Sequence, residues 1–200
     1  DWCVVRSFGC FWNKRIIMCS RKPVAAELDI LRPILGTWKG QGKGTYPTIE
    51  PFEYNEETSF STNGKPFISY QQKTSNKGNP MHTETGYIRV RSGDDGDHLE
   101  FLVCDPTGIS SVFEGSVTSD TDQELVIEFS STNITGTPSA KPVSALQRKL
   151  TITKSEPMGM KYQVNMKAMD QELQEHLTAE LEKQPDNDFV ISGDKFKELN

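Results

Sequence analysis

The sequence predicts an all-β fold, a ten-stranded antiparallel up-and-down barrel with a short N-terminal helix. Three observations predict it. Short runs rich in Thr, Tyr, Phe, Val and Ile follow one another from Thr37 to Lys183, the composition of half-buried strands. Turn signals separate them throughout: Asn63-Gly64, then breaks at 75–80, 92–97, 105–108, 118–122, 135–142 and 155–159. Alternation shows within several runs. Ile68, Tyr70 and Gln72 oppose Phe67, Ser69 and Gln71, and Leu125, Ile127 and Phe129 oppose Val126, Glu128 and Ser130.

Residues 1–22 stand apart from this pattern. Arg6, Lys14, Arg15, Arg21 and Lys22 face one acid, Asp1. An Arg-containing, acid-poor stretch is what an organelle leader looks like. A flexible extension is the preferred expectation. Residues 23–35 predict a helix, with Pro23 suited to its first turn. Leu28, Leu31, Ile34 and Leu35 share one face, Pro33 disturbs the last turn, and Gly36 ends it.

The strands are then expected at 37–48, 51–61, 65–74, 81–91, 98–104, 108–117, 123–132, 144–154, 160–168 and 174–183. Asn63-Gly64 predicts a tight hairpin. Sequential strands with short turns pair antiparallel, and closure removes the exposed edges. A barrel of about ten strands is too wide for side chains alone to fill, so the lipocalin and fatty-acid-binding plan, with an internal ligand cavity, follows.

One segment conflicts with the scheme. Asp170 to Lys183 is built of good helix formers, and Leu173, Leu177 and Leu181 recur every four residues. As a simple strand it sets His176 with Thr178 and Glu180, opposite Leu177, Ala179 and Leu181. His176 inside would then bring Glu180 inside too. The expected organisation is a barrel domain over 23–184 and a tail over 185–200, which begins Pro-Asp-Asn-Asp.

Several function classes are disfavoured. The net charge is −6 with no basic stripe, which argues against nucleic acid. No apolar run approaches a membrane-spanning length. The cysteines, Cys3, Cys10, Cys19 and Cys104, form no C-x-x-C pair. Zinc and a disulfide framework are therefore not expected, and the body reads as an intracellular, cytoplasmic domain. Import through residues 1–22 stays open. Asn133-Ile134-Thr135 fits a glycosylation sequon that such a domain would not use.

The glycines at 36, 40, 42 and 44 miss a phosphate loop, because Gly44 follows Gly42-Lys43 and no long helix follows. They read instead as places where a strand bends or a flat group approaches the backbone. Trp38 reads as core or plug. No Ser-His-Asp set, paired catalytic carboxylates or Cys/His cluster stands out, so catalysis would be carried by a cofactor. His176, His82 and His98 are the candidate histidines. From residues alone each is as well explained by a solvated or structural role. Cys104 reads as a small buried hydrophobe.

Gly36-Thr-Trp38-Lys-Gly40-Gln-Gly42, continued by Gly44-Thr-Tyr-Pro-Thr-Ile-Glu-Pro-Phe52, resembles the G-x-W-x-G-x-G signature of the nitrobindins. Pro80-Met-His-Thr-Glu-Thr-Gly-Tyr-Ile-Arg89 is similar to that family's internal segment, and Gln174-Glu-His176-Leu177 to its C-terminal haem-ligand segment. The resemblance covers residues 28–183. It implies a barrel holding one ferric haem b per subunit at its mouth, binding of nitric oxide, and conversion of peroxynitrite to nitrate. A similar domain ends a THAP-type zinc-finger protein, but no such finger is present here. Carried over, the axial and catalytic ligand falls on His176 and a further haem contact on Thr48, in Thr45-Tyr46-Pro47-Thr48. The stretch Lys167-Ala-Met-Asp-Gln-Glu-Leu173 departs from the family's small, Thr-rich pattern. The implied partners are haem and small reactive nitrogen species, with no nucleic acid or membrane; a homodimer is compatible with the resemblance. The alternatives are a haem or nitric oxide carrier without turnover, and a barrel for a fatty acid or similar apolar ligand.

Overall fold

Ten strands run in sequential order round one closed antiparallel barrel: β1 (Gly36–Tyr46), β2 (Ile49–Ser61), β3 (Ile68–Asn76), β4 (Asn79–Gly93), β5 (Gly96–Cys104), β6 (Ile109–Asp120), β7 (Glu124–Gly136), β8 (Val143–Thr153), β9 (Gly159–Ala168) and β10 (Gln174–Lys183). β1 pairs with both β2 and β10, which closes the ring. The computed structural model describes residues 24–93 and 96–185. The expectations for residues 1–22, for Pro23 and for the tail beyond residue 185 lie outside the described residues. Among the described residues no helix is long and apolar enough to cross a membrane.

The helix forms at Ala26–Ile34, as a 3₁₀ helix. Leu28, Leu31 and Ile34 are fully buried. Their spacing of three matches three residues per turn, so the tighter helix stacks all three on the barrel. Leu35 is left at the edge, packed against the core. Trp38 follows, fully buried, and its indole N–H donates to the Ile34 carbonyl at 2.8 Å. That bond satisfies a carbonyl at the helix end. With Phe60, Ile68, Ile88, Leu99, Leu125, Ile127, Ile152, Met160 and Leu181, these residues fill and plug one end of the barrel.

The alternation predicted for β3 holds, with Ile68, Tyr70 and Gln72 buried. In β7 Leu125, Ile127 and Phe129 are buried as expected, but Val126 on the opposite face is buried as well. Three local expectations change. Asn63-Gly64 turns the chain, but inside a longer loop between β2 and β3, where Gly64 takes φ 90°. The Thr62 hydroxyl and the Asn63 side chain accept from the Gly64 and Lys65 N–H groups there. The β1–β2 turn is Pro47-Thr48, and β2 already starts at Ile49. Pro51 is tolerated because β3 pairs β2 only from Asn55 onward, so no β3 carbonyl awaits its missing donor. Cys104 is exposed, not buried.

Residues 174–183 are a strand despite their helix formers. Pairing on both edges, with β1 and β9, outweighs local propensity. The conflict over Glu180 is resolved by a bulge. The β9–β10 register steps from Glu175↔Asn165 to Leu177↔Val164, so His176 is the extra residue. A bulge sets two residues opposite one, which re-aims a side chain and lets His176 leave the alternation of the residues beyond it. Ala179 and Leu181 stay buried while Glu180 points outward to Lys161 at 2.9 Å.

Candidate haem site at the open end

The strand directions place the β1–β2, β3–β4, β5–β6, β7–β8 and β9–β10 connections at the end opposite the helix. His176 lies there, half-buried. Its Nδ1 is 3.0 Å from the Thr45 carbonyl oxygen. A carbonyl only accepts, so Nδ1 carries the proton and the Nε2 lone pair is available. The ring stands edge-on to Tyr46, centroids 5.3 Å apart. Tyr46 is itself held: the Ala168 N–H donates to its hydroxyl at 2.8 Å, and the hydroxyl donates to the Ala168 carbonyl at 3.2 Å. The end of β1 is thereby tied to the end of β9, across the divergent 167–173 stretch. Burial lowers the basicity of His176; the Thr45 carbonyl opposes that, and the charge of His82 adds to it. The result is a neutral imidazole of fixed tautomer.

Thr48 lies exposed in the Pro47-Thr48 turn at the same rim, three residues beyond Thr45. His82, expected to be structural or at the surface, is half-buried near the start of β4, its Nε2 3.6 Å from Glu84 Oε1. The neighbouring Glu84 carboxylate raises its basicity against the opposing effect of burial. His98 sits near the start of β5, paired with Arg91, at the helix end. The structure thus places His82 and His176 at one end and His98 at the other.

Below this rim the barrel holds a polar belt that sequence reasoning missed. Arg148 and Glu84 form a two-pronged ion pair at 2.8 and 2.9 Å, each side chain only 11% exposed. The Tyr70 hydroxyl donates to Glu84 at 2.9 Å, and the guanidinium lies 5.3 Å from the Phe113 ring centroid. Burial would raise the Glu84 carboxyl; the Arg148 charge, the nearby His82 and the hydrogen bonds from Arg148 overcome this and hold it far below the usual carboxylate range. Glu56 belongs to the same belt but has Thr58 and Tyr162 as its hydrogen-bonded neighbours. Burial pushes its carboxyl up. A signal for these residues exists in the sequence. Glu56 alternates in phase with Tyr54 and Phe60, Glu84 with Ile88, and Arg148 with Leu150 and Ile152. Charges in phase with an apolar face point inward.

The glycines serve close approach of neighbouring side chains and backbone. A Cβ on Gly42 would lie 2.3 Å from the Tyr54 ring, and one on Gly44 2.3 Å from the Phe52 ring. Two aromatic rings of β2 lie over the bare backbone of β1.

A closed antiparallel barrel of this kind is a lipocalin-like barrel, here with an oriented imidazole at its open end. The chain belongs to the nitrobindin family: the family described as THAP4-like, heme-binding beta-barrel domain matches residues 27–183. Among its relatives, peroxynitrite isomerase 1 of Mycolicibacterium paratuberculosis is 45% identical over 160 residues, covering 79% of this chain and 95% of that protein. Peroxynitrite isomerase of Nocardia farcinica is 43% identical over 162 residues, covering 79% and 92%. The crystal structure of Rv2717c from M. tuberculosis superposes with a TM-score of 0.74 at 41% identity, covering 81% of this chain and 99% of that one.

The donor chemistry at the open end fits haem. An uncharged imidazole with its second nitrogen bound to a carbonyl is the arrangement a proximal ligand needs.

Proposed function

We propose that this protein is a ferric haem b protein, one haem per chain, that converts peroxynitrite to nitrate and also binds nitric oxide. The observation that carries the proposal is His176: a neutral ring, its tautomer set by the Thr45 carbonyl, in a chain aligned over nearly the whole length of relatives named peroxynitrite isomerase. When bound, haem would supply an electrophilic iron, the chemistry that isomerisation of the peroxynitrite anion needs. The chain's residues supply the setting. His176 would hold the iron through Nε2. Thr45 orients the ring and strengthens the donor, and Tyr46 buttresses it. Thr48, at the same rim, would make a further contact to the haem. The filled lower barrel, plugged by Leu28, Leu31 and Ile34, keeps water from entering by the other end.

A fatty-acid role is disfavoured by the interior. At the level of the belt a cavity of about 30 Å³, bordered by Glu56 and Arg148 among mainly apolar side chains, is too small for an acyl chain. The reading extends to a cytoplasmic setting, supported by the exposed free thiol of Cys104. It extends also to a homodimer, supported by the outward stripe of Tyr87, Leu102 and Val112, in register across β4, β5 and β6 and all exposed. Light scattering on the purified chain tests that last point; a monomer mass at micromolar concentration removes it.

Absorbance titration with ferric haem tests the site. The wild-type chain should develop a Soret band that is lost in His176→Ala, and Thr48→Ala should need more haem to saturate. Stopped-flow mixing with peroxynitrite should then give faster decay and a higher nitrate yield than buffer. Decay no faster than buffer would leave a haem or nitric oxide carrier.

A further inference from the structure

Four strands place four residues in one row. Gly42 on β1 pairs with Tyr54 on β2 and with Ala179 on β10, and Ala179 pairs with Tyr162 on β9. The two small residues between two tyrosines leave room for the phenols to meet, and their hydroxyls lie 2.8 Å apart. A Cβ on Gly42 would come within 2.5 Å of the Tyr54 hydroxyl.

The partners fix the direction of the hydrogens. Gln72 donates its amide N–H to the Tyr162 oxygen at 3.1 Å. Tyr162 donates to Glu56 Oε2 at 2.5 Å. Tyr162 has one hydrogen, so the Tyr54 hydroxyl donates to Tyr162. The Thr58 hydroxyl donates to Glu56 Oε1 at 2.6 Å. Each of these groups is neutral.

The two interior carboxyls therefore differ in kind. Glu84 is neutralised by Arg148. Glu56 receives only neutral donors and is 4% exposed. The groups around it are Tyr54 on its own strand, Tyr70 and Gln72 on β3, Glu84 on β4, Arg148 on β8 and Tyr162 on β9. Arg148 is committed to Glu84, whose negative charge further disfavours ionised Glu56. Two interior carboxyls driven apart in this way mark one as fixed and the other as proton-exchanging.

We propose that Tyr54, Tyr162 and Glu56 form a proton relay running from the ligand end of the barrel to an internal carboxylate. This rests on the proposed function, for it gives the relay an oxyacid substrate whose acid form must lose a proton to react as the anion. An acid at the open end gives its proton to the Tyr54 oxygen. The Tyr54 hydrogen passes to the Tyr162 oxygen, and the Tyr162 hydrogen to Glu56. Both phenols are regenerated, Glu56 becomes neutral, and the ligand is left as its anion; no electrons are transferred. Tyr54 pairs with Gly42, two residues along β1 from Gly44, which pairs with Leu177, the residue next to His176. Glu56 also borders the cavity of about 30 Å³, room for about two waters. The Nε of Arg148, buried without a partner among the described residues, belongs to a side chain that lines the same cavity.

Infrared difference spectroscopy on the full chain without haem tests the relay. Wild type minus Glu56→Gln should show a carboxylate, the form that accepts the proton, giving way as pH falls to the carbonyl stretch of a protonated carboxyl at a pH above that of an ordinary glutamate. After transfer to deuterium oxide, the shift of that band should slow by about tenfold or more in Tyr54→Phe and in Tyr162→Phe, while Glu56→Asp keeps a band. Absence of the band, or exchange unchanged in the Phe variants, overturns the proposal. Using both Phe variants, each checked by circular dichroism, guards against one failing to fold. With haem bound, the pH profile of peroxynitrite decay should move in Glu56→Gln; an unmoved profile removes the relay from the reaction. If the wild type itself gives no faster decay than buffer, the functional proposal falls, and the infrared result alone decides the relay.

Discussion

Replacing Arg148 by Met would leave the Glu84 carboxylate inside the barrel with Tyr70 and His82 but without its main counter-charge. Both partners are 11% exposed, and the pair is two-pronged at 2.8 and 2.9 Å. Removing one member of such a pair costs about 3–5 kcal/mol, because the remaining charge is stranded. For a domain of this size that is a fall in melting temperature of roughly 6–20 °C. The double variant Glu84→Leu/Arg148→Met removes both charges and should regain most of the loss. The deficit should also depend on pH. In the wild type the folded-state pKa of Glu84 is depressed. Its contribution is therefore present above the ordinary carboxylate value of about 4.3 and is lost only as pH falls through the lower folded value. In Arg148→Met burial prevails and the carboxyl is raised, so the penalty is greatest above that raised value. It shrinks as pH falls toward about 4, where the unfolded chain also protonates. Thermal unfolding of wild type, single and double variants between pH 4 and 8 provides the measurement. A deficit below about 1 kcal/mol, or one that does not narrow in acid, or a double variant as unstable as the single, would refute the reasoning.

Two further outcomes follow from packing. Gly42→Ala drives a Cβ to within 2.3 Å of the Tyr54 ring; a cost of about 1–3 kcal/mol is expected by denaturant unfolding, and an unchanged midpoint would mean the phenol moves freely. Leu31→Ala removes the middle of the three plug residues, each fully buried; calorimetry should register a loss of about 2–5 kcal/mol, whereas a loss below this range would show that the helix is a loose cover.

Much of the barrel was legible along the chain. Strand runs and breaks lie close to the observed boundaries, because alternation and turn residues are local signals. The plug was legible as an apolar face, but its 3₁₀ geometry was not. Leu28, Leu31 and Ile34 also fit an α-helical face, and only contact with the barrel selects the spacing of three. His176 was named from family resemblance, and its surroundings were not. The Thr45 carbonyl lies 131 positions away. Arg148 and Glu84 are 64 apart, and Tyr162 and Glu56 are 106 apart.

The chain's own order of residues determined a sheet that alternates, turns and closes, with glycines where β1 and β2 meet. The folded barrel decided which way each ambiguous residue faces. Residues 174–183 prefer a helix in isolation, and only two flanking strands make them a strand. A single bulge there turns His176 while keeping Glu180 in water. The physical reason is one of range. Propensity and alternation act over a few residues, whereas the environment of a buried charge or a ligand histidine is set by strands that meet only when the ring is closed.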